Sequence, residues 1–365
     1  MLYKVIGIMS GSSLDGLDMA FVELEESGGK WSYEIKAANC KPYSNEWLDK
    51  LQKATSLSAY EYLLLHAAYG KYIGGATNEF IDENELHHKV QLIASHGHTT
   101  FHAPGLGMTG QLGDGAAIAA TTQINVVNDL RAMDVAFGGQ GAPIVPVGEK
   151  LLLSDYALCL NVGGIANLSF KSDAGYIAFD VCAANRVMNM LAQLEGKEYD
   201  EGGAIAASGK VDTALLTKLN ALNYYAKPYP KSLANSFGTD EVFPVVQSTS
   251  LSTADKLRTY AEHVVVQIRN SVEAISEKSK IENRKLLVTG GGAFNTFLIT
   301  RLKELLYDMN IEVIVPDAML VNYKEALVMA LIGVLRWREE YNVLHTVTGA
   351  KRSSIGGAVW IGQEA

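Results

Sequence analysis

Apolar runs and small polar turns alternate along the N-terminal stretch. Positions 2–9 form an apolar run, 10–16 a turn of glycine, serine and aspartate, and 17–24 a stretch with apolar residues at alternate positions. Alternation bounded by turn residues predicts β-strands, and 31–37 predicts a third. The same order returns near residue 157: an apolar run over 157–162, the pair Gly163–Gly164, then strand patterns over 165–171 and 176–179. Helical spacing of apolar residues predicts helices over 59–80, 185–194, 253–276, 293–306 and 323–337. Short strands are predicted between them at 91–95, 125–127, 285–289 and 312–315. Strands alternating with helices predict an α/β protein. A strand–glycine turn–strand–strand unit used twice predicts two similar lobes with an active-site cleft between them, divided near 146–156 into lobes 1–150 and 151–365. The segment 223–238, rich in Pro, Tyr, Ser and Asn, has no helical period and reads as a long ordered loop.

Length supports two domains, because 365 residues exceed the ~250–300 at which single cores stop growing. The net charge of −9 argues against a nucleic-acid binder, which usually carries a basic face. It leaves room for a phosphate site, since backbone N–H groups bind phosphate without net positive charge. Three cysteines, Cys40, Cys159 and Cys182, fit no zinc or redox spacing and suit a reducing cytoplasm. The N-terminus lacks a signal-peptide pattern, and no apolar run reaches ~18 residues, so no membrane span is expected.

Three glycine-rich turns carry the candidate chemistry. In the first, Ser10-Gly11-Ser12-Ser13-Leu14-Asp15-Gly16, hydroxyls and N–H groups can converge on a phosphate. Asp15 could hold Mg²⁺, directly or through water. The second, Asn161-Val162-Gly163-Gly164, occupies the equivalent place in the second repeat. The third, Gly290-Gly291-Gly292 followed by Asn295, joins a strand to a helix, where N–H groups favour an anion and glycines admit a flat ring. The same residues also build ordinary turns, and the pairing of two such turns is the stronger signal. Asp180 ends a short apolar strand and is the best-placed general base; a turn or capping aspartate is the competing reading.

A polar, glycine-punctuated run extends from Ser95 to Pro143 and suits recognition of sugar hydroxyls. His96, His98 and His102 match no zinc pattern. In order, these motifs resemble the anhydro-N-acetylmuramic acid kinase family, part of the superfold of acetate and sugar kinases, heat-shock chaperones and actin. The resemblance runs from Gly7 to residues 355–357. Its most specific parts are Met9–Gly16, His96-Gly97-His98-Thr99, residues 138–143, residues 160–167 and residues 290–295.

The resemblance implies two actin-like (ribonuclease H-like) lobes, ATP and Mg²⁺ as cofactors, and a small-molecule anhydro-sugar substrate. It implies opening of the 1,6-anhydro bridge by water and transfer of the γ-phosphoryl to O6, in peptidoglycan recycling. The family base, an aspartate in Phe-Asp-Thr-Gly-Pro, maps to Asp180. ATP contacts fall to Ser10, Gly11, Ser12, Ser13, Asp15, Gly163, Gly164, Gly290, Gly291, Gly292 and Asn295. His98, Gln111, Asp129, Arg131 and Glu325 are the substrate-site candidates. No nucleic-acid or membrane partner is implied, and a homodimer is left open.

The sequence departs from the family where Val181-Cys182-Ala183-Ala184 replaces Thr-Gly-Pro-(Gly/Ala), where Asn189 replaces an aspartate, and where His98 replaces a glutamine. Pro230-Lys231-Ser232 continues as Leu-Ala-Asn rather than Thr-Gly-Arg. A kinase of a different anhydro- or amino sugar, or a weakly catalytic nucleotide- and sugar-binding sensor, is the alternative reading.

Overall fold

The computed structural model describes all residues except Ser12, Ser13, Asn235, Lys280, Glu282, Glu364 and Ala365. The phosphate contacts expected of Ser12 and Ser13 therefore lie outside the described residues. Contacts divide the chain into two compact units, Met1–Leu153 with Tyr323–Ala365, and Ser154–Asn322. The segment from Tyr323 onward groups with the first unit, although its sequence position had assigned it to the lobe 151–365.

In the first unit the strands are β1 (Leu2–Ser10), β2 (Gly16–Ser27), β3 (Lys30–Pro42), β4 (Leu92–Ala103), β5 (Met108–Leu112) and β6 (Val126–Asn128). The second unit holds β7 (Leu158–Val162), β8 (Ile165–Ser172), β9 (Gly175–Ala183), β10 (Lys285–Thr289) and β11 (Glu312–Ile314), and β12 (Ala358–Trp360) returns to the first. The first sheet runs β12-β6-β4-β1-β2-β3, with β5 paired to β4; the second runs β11-β10-β7-β8-β9. Within each, a three-strand antiparallel meander is extended by two parallel strands. The order β3-β2-β1-β4-β6 thus repeats as β9-β8-β7-β10-β11, which extends the duplication read from the sequence.

Each sheet is covered by helices whose apolar faces the sequence makes explicit. The helix Ala59–Glu83 starts in a capping box of Ser58 and Glu61 and buries Leu65, Tyr69, Ile73, Ala76 and Phe80. That spacing follows one helical face. In the second unit, the helix Thr253–Lys278 buries Leu257, Tyr260, Ala261, Val264, Val265, Ile268 and Val272. The helix Ala318–Trp337 leaves helical geometry at Tyr323. It crosses β1 so closely that a Cβ on Gly7 would lie 1.9 Å from the Ala326 carbonyl oxygen. By length and composition this helix is long and apolar enough to cross a membrane, but 72% of its apolar window is buried inside the protein, as in a core helix.

Two predicted elements shift. The run Ser95–His102, read as polar and glycine-punctuated beyond a strand at 91–95, belongs to strand β4, which continues past a break at Gly97 (φ 71°) into a hairpin with β5. Threonine, phenylalanine and histidine suit a pleated, half-buried surface, and this outweighs their polarity. The helix expected from residue 293 begins at Thr296, because Gly291–Phe294 form a 3₁₀ turn and Asn295 caps the helix.

Candidate active site

The first glycine turn leaves β1 at Ser10, whose side chain is buried. Ser10 lies beside His98 on the parallel strand β4, and its Oγ is 3.0 Å from His98 Nδ1. Tyr43 donates to Ser10 Oγ at 2.7 Å, and the Tyr43 and Tyr69 hydroxyls are 2.6 Å apart. Burial lowers the His98 pKa, so a neutral ring accepts from Ser10 at Nδ1 and keeps its proton at Nε2. Ser10, expected at the ATP phosphates, thus spends its hydroxyl on orienting His98.

Past the turn, a carboxylate cluster gathers in the same unit. Asp18 pairs in register with Cys40 and is hydrogen-bonded to its thiol. Burial pushes Asp18 up to about 6, helped by the like charges of Asp15 and Glu325. Glu325, on the helix Ala318–Trp337, is also raised by burial; Lys324 and Arg131 pull it back, while Glu149 and Asp15 oppose them. Lys324 and Glu149 form a buried ion pair of 2.8 Å. Asp15 and Glu325, singled out in the sequence for different roles, therefore feel one another's charge. Asp18, Glu149 and Lys324 were not singled out. Asp18 was legible in principle, as the second acid of Asp-Gly-Leu-Asp.

Arg131 and Glu325, both sugar-site candidates, also interact electrostatically. Arg131 Nε donates to His96 Nε2 at 2.8 Å, and its Nη1 donates to the Gly141 carbonyl at 3.0 Å. Burial holds the guanidinium down to about 10 and the His96 imidazole down to about 3. A neutral His96 is required for it to accept from Arg131. Asp134, fully buried, accepts from the Gly141 N–H at 2.8 Å and the Thr348 hydroxyl at 2.7 Å. The glycine loop 138–143 is thereby tied through Asp134 to Thr348 near the C-terminus.

Gln111 on β5 lies opposite Thr99, and its amide donates to Thr109 Oγ1 at 2.8 Å. Its buried Oε1 has no protein partner. A buried acceptor without a partner is rare and suits a ligand hydroxyl. Asp129 sits apart from these groups electrostatically. It adopts φ 54° after β6, and burial raises its carboxyl against the pull of His66.

In the second unit, Asp180 lies on β9. Its Oδ2 accepts from the Leu233 N–H at 2.8 Å and from the Ser232 hydroxyl at 3.2 Å. Its own N–H donates to the Lys231 carbonyl at 2.9 Å, and Tyr224 OH donates to its carbonyl at 2.6 Å. Burial raises the carboxyl, and the Leu233 and Ser232 donors offset only part of this. The loop read from 223–238 is therefore the support of Asp180, a role its composition did not reveal. The substituted residues Val181–Ala184 are all buried, and Tyr260 donates to the Ala183 carbonyl at 2.8 Å.

The second and third glycine turns meet within this unit. The N–H groups of Ala184 and Asn185 donate to the Gly164 and Gly163 carbonyls at 2.9 and 3.0 Å, and Asn185 Nδ2 donates to the Val162 carbonyl at 2.9 Å. Gly290 has φ 79°, and a Cβ there would lie 2.7 Å from Asn161 Oδ1. Gly291 is exposed, with nothing closer than Asn185 Nδ2 at 3.5 Å. Asn295 Oδ1, expected at the adenosine, accepts from the Leu298 N–H at 2.9 Å as a helix cap.

Paired meanders extended by parallel strands, with glycine turns at corresponding places, define an α/β protein of the actin-like superfamily. A family model described as anhydro-N-acetylmuramic acid kinase matches residues 3–362. A curated relative of that name from Pseudomonas syringae pv. syringae is 33% identical, covering 97% of this chain and 98% of its own. One from Shewanella sediminis is 32% identical, with the same two coverages. The chain belongs to the anhydro-N-acetylmuramic acid kinase family. Among solved structures, an activator of 2-hydroxyisocaproyl-CoA dehydratase from Clostridium difficile, with bound ADPNP, aligns at a TM-score of 0.42 and 14% identity, over 92% of this chain and 96% of that one.

Proposed function

We propose that this chain is an ATP- and Mg²⁺-dependent kinase of 1,6-anhydro-N-acetylmuramic acid that serves peptidoglycan recycling in the cytoplasm. The observation that carries the reading is Asp180: a carboxyl raised by burial, held by neutral donors, in the unit where two glycine turns meet. A raised carboxylate is the stronger base, and Leu233 and Ser232 fix its orientation. In the proposed step Asp180 takes a proton from water as the water oxygen bonds to C1. The C1–O6 bond breaks, O6 bonds to the γ-phosphorus, and the bond from that phosphorus to ADP breaks. The product is N-acetylmuramic acid 6-phosphate.

In the second unit Gly163, Gly164 and Gly290–Gly292 are assigned to ATP, with Gly291 the exposed member of its turn; in the first, Gly11 and Asp15 are assigned to phosphate. Arg131, Glu325, His98, Gln111 and Asp129 are assigned to the sugar. The mutual repulsion of Asp15, Asp18 and Glu325 fits a bound cation. Among the described residues no cluster of three His, Cys, Asp or Glu side chains could cage a metal, which suits Mg²⁺ held largely by phosphate and water. When bound, Mg²⁺ supplies neutralisation of the phosphate charge.

The test is incubation with ATP, Mg²⁺ and 1,6-anhydro-N-acetylmuramic acid, with products identified by mass. The expected product is heavier than the substrate by one phosphoryl group and one water. ADP formation with another anhydro- or amino sugar, but none with this one, would favour the alternative substrate suggested by the replaced Val181–Ala184 segment. Binding of sugar and nucleotide with no turnover would favour a sensor.

A further inference from the structure

The segment that supports Asp180 has a second face. Side chains alternate along an extended chain, and here the alternation separates two environments. Asp180 and Ser232 contact each other, whereas their neighbours Phe179 and Lys231 line a cavity of ≈ 350 Å³. The other wall is the helix Thr253–Lys278, which presents Gln267, Asn270, Ser271, Ala274 and Lys278, one helical face. The volume falls in the range of small-molecule sites.

The cavity is built on a fixed polar base. Asn220 Oδ1 accepts from Gln267 Nε2 at 2.9 Å and faces His263 Nδ1 at 2.7 Å; His263 Nε2 is 3.0 Å from the Tyr225 hydroxyl. Since Asn220 Oδ1 is an acceptor, His263 donates to it from Nδ1 and accepts from Tyr225. Burial lowers the His263 pKa to about 3, so this network stays neutral. Tyr225 is thereby locked with its ring at the cavity wall.

The lining is one-signed. It includes Lys227, Lys231 and Lys278 and, among the described residues, no acid. Among the described residues none of the three lysines forms an ion pair. Lys231 Nζ donates weakly to the Tyr224 and Tyr225 carbonyls, at 3.4 and 3.5 Å, and rests over the Tyr224 ring at 4.6 Å. Lys278 rests over the Tyr229 ring at 4.9 Å. Ammonium groups gathered without a counter-charge favour an anion, and three of them match a dianion better than a monoanion. The tyrosine rings, Asn270 and Ser271 offer a flat apolar face with hydroxyl partners beside it.

We infer that this cavity is a second ligand site, for a phosphorylated sugar, whose occupancy is transmitted to Asp180 through residues 231–233. The site goes beyond the kinase reading and does not depend on it; only the consequence for Asp180 does. The ligand chemistry is a phosphate monoester carried on a ring of hydroxyls, whether it arrives as the kinase's own product or from another sugar phosphate.

The test is calorimetric titration of the full chain with glucose 6-phosphate, with glucose and inorganic phosphate as parallel probes. The parent should saturate with glucose 6-phosphate, and Lys227→Gln with Lys278→Gln, both exposed positions, should weaken it at least tenfold. No saturation up to about 10 mM overturns the site. Equal binding by the double variant overturns its location. Inorganic phosphate binding as tightly leaves an adventitious ion only. Hydrogen exchange then reads the link: glucose 6-phosphate should slow exchange in the 224–233 peptide of the parent and not of the double variant. Unchanged exchange in the saturated parent overturns the transmission. Each readout is independent of turnover, so failure of the kinase reading would be seen separately.

Discussion

Asp18 in the first unit and Asp180 in the second both hold their protons more tightly than a free aspartate, for different reasons. Asp180 is surrounded by neutral donors, and burial alone raises it. Asp18 adds to burial the like charges of Asp15 and Glu325, with a thiol as partner. The two sheets share one strand order, so the contrast does not come from topology. It comes from what each sequence places beside its glycine turn: a second acid three residues after Asp15, or a long loop returning an N–H and a hydroxyl. A carboxylate destabilised by desolvation is relieved by a proton and suits a base. One that adds to desolvation the smaller repulsion of neighbouring carboxylates is also relieved by a cation.

The largest effect expected of this difference is at Asp180. Asp180→Asn keeps an oxygen for the Leu233 N–H but cannot accept a proton. Turnover should fall by at least ~10²-fold, with ATP affinity and unfolding midpoint near those of the parent. Steady-state kinetics beside a thermal melt would check this. Activity within about threefold of the parent would assign Asp180 a structural role. In the parent, activity should decline as pH falls through the raised Asp180 pKa. That acidic limb therefore lies above the ordinary value of 3.8.

On the proposed reading, the third glycine turn separates a structural glycine from a nucleotide-contacting one within two residues. Gly291→Val meets only Asn185 Nδ2 at 3.5 Å. The variant should fold like the parent and lose nucleotide affinity at least tenfold, about 1.4 kcal/mol by calorimetry. Gly290→Val must adopt φ 79° and meets Asn161 Oδ1 and the Val162 carbonyl within 3 Å. It should lose stability itself, on the order of 1–3 kcal/mol. Unchanged nucleotide affinity in a folded Gly291→Val would remove ATP from that turn.

Much of this arrangement was legible in the chain. Alternating patterns and glycine turns exposed the repeated meander, because period and turn chemistry are local properties. The parallel strands that complete each sheet were predicted only as isolated segments, since their pairing is long-range. The polar run with His96, His98 and His102 concealed the continuation of β4 past residue 95, because hydroxyls and imidazoles on a half-buried strand look like a loop in one dimension. The site split the same way. Asp180 and the glycines stood out by position, but their supports did not: Ser232 and Leu233 lie 52 and 53 residues from Asp180 in sequence, and Lys324 lies 175 from Glu149. Asn295 shows the reverse, a residue conspicuous beside glycines whose oxygen serves as a helix cap.

The smallest effect, and the one that sharpens the comparison most, is at Asp18. Its folded-state pKa of about 6 lies above the ordinary 3.8. The folded state therefore binds this proton more tightly than the unfolded chain does. That contribution is fully present below pH 3.8, declines between 3.8 and 6, and is gone above it, where the ionised carboxyl is repelled by Asp15 and Glu325. Asp18→Asn removes the ionised form while keeping an acceptor for the Cys40 thiol. After allowance for partial solvent screening, the variant should be more stable than the parent by about 1 kcal/mol at pH 7.5, and the two should converge near pH 4. Denaturant melts at both pH values measure this. Mg²⁺ should narrow the gap at pH 7.5 by stabilising the parent more than the variant, because only the parent carries the third carboxylate charge. No pH dependence of the difference would mean that folding does not raise the Asp18 pKa, and a gap at pH 7.5 that Mg²⁺ leaves unchanged would mean that burial alone raises it, as at Asp180.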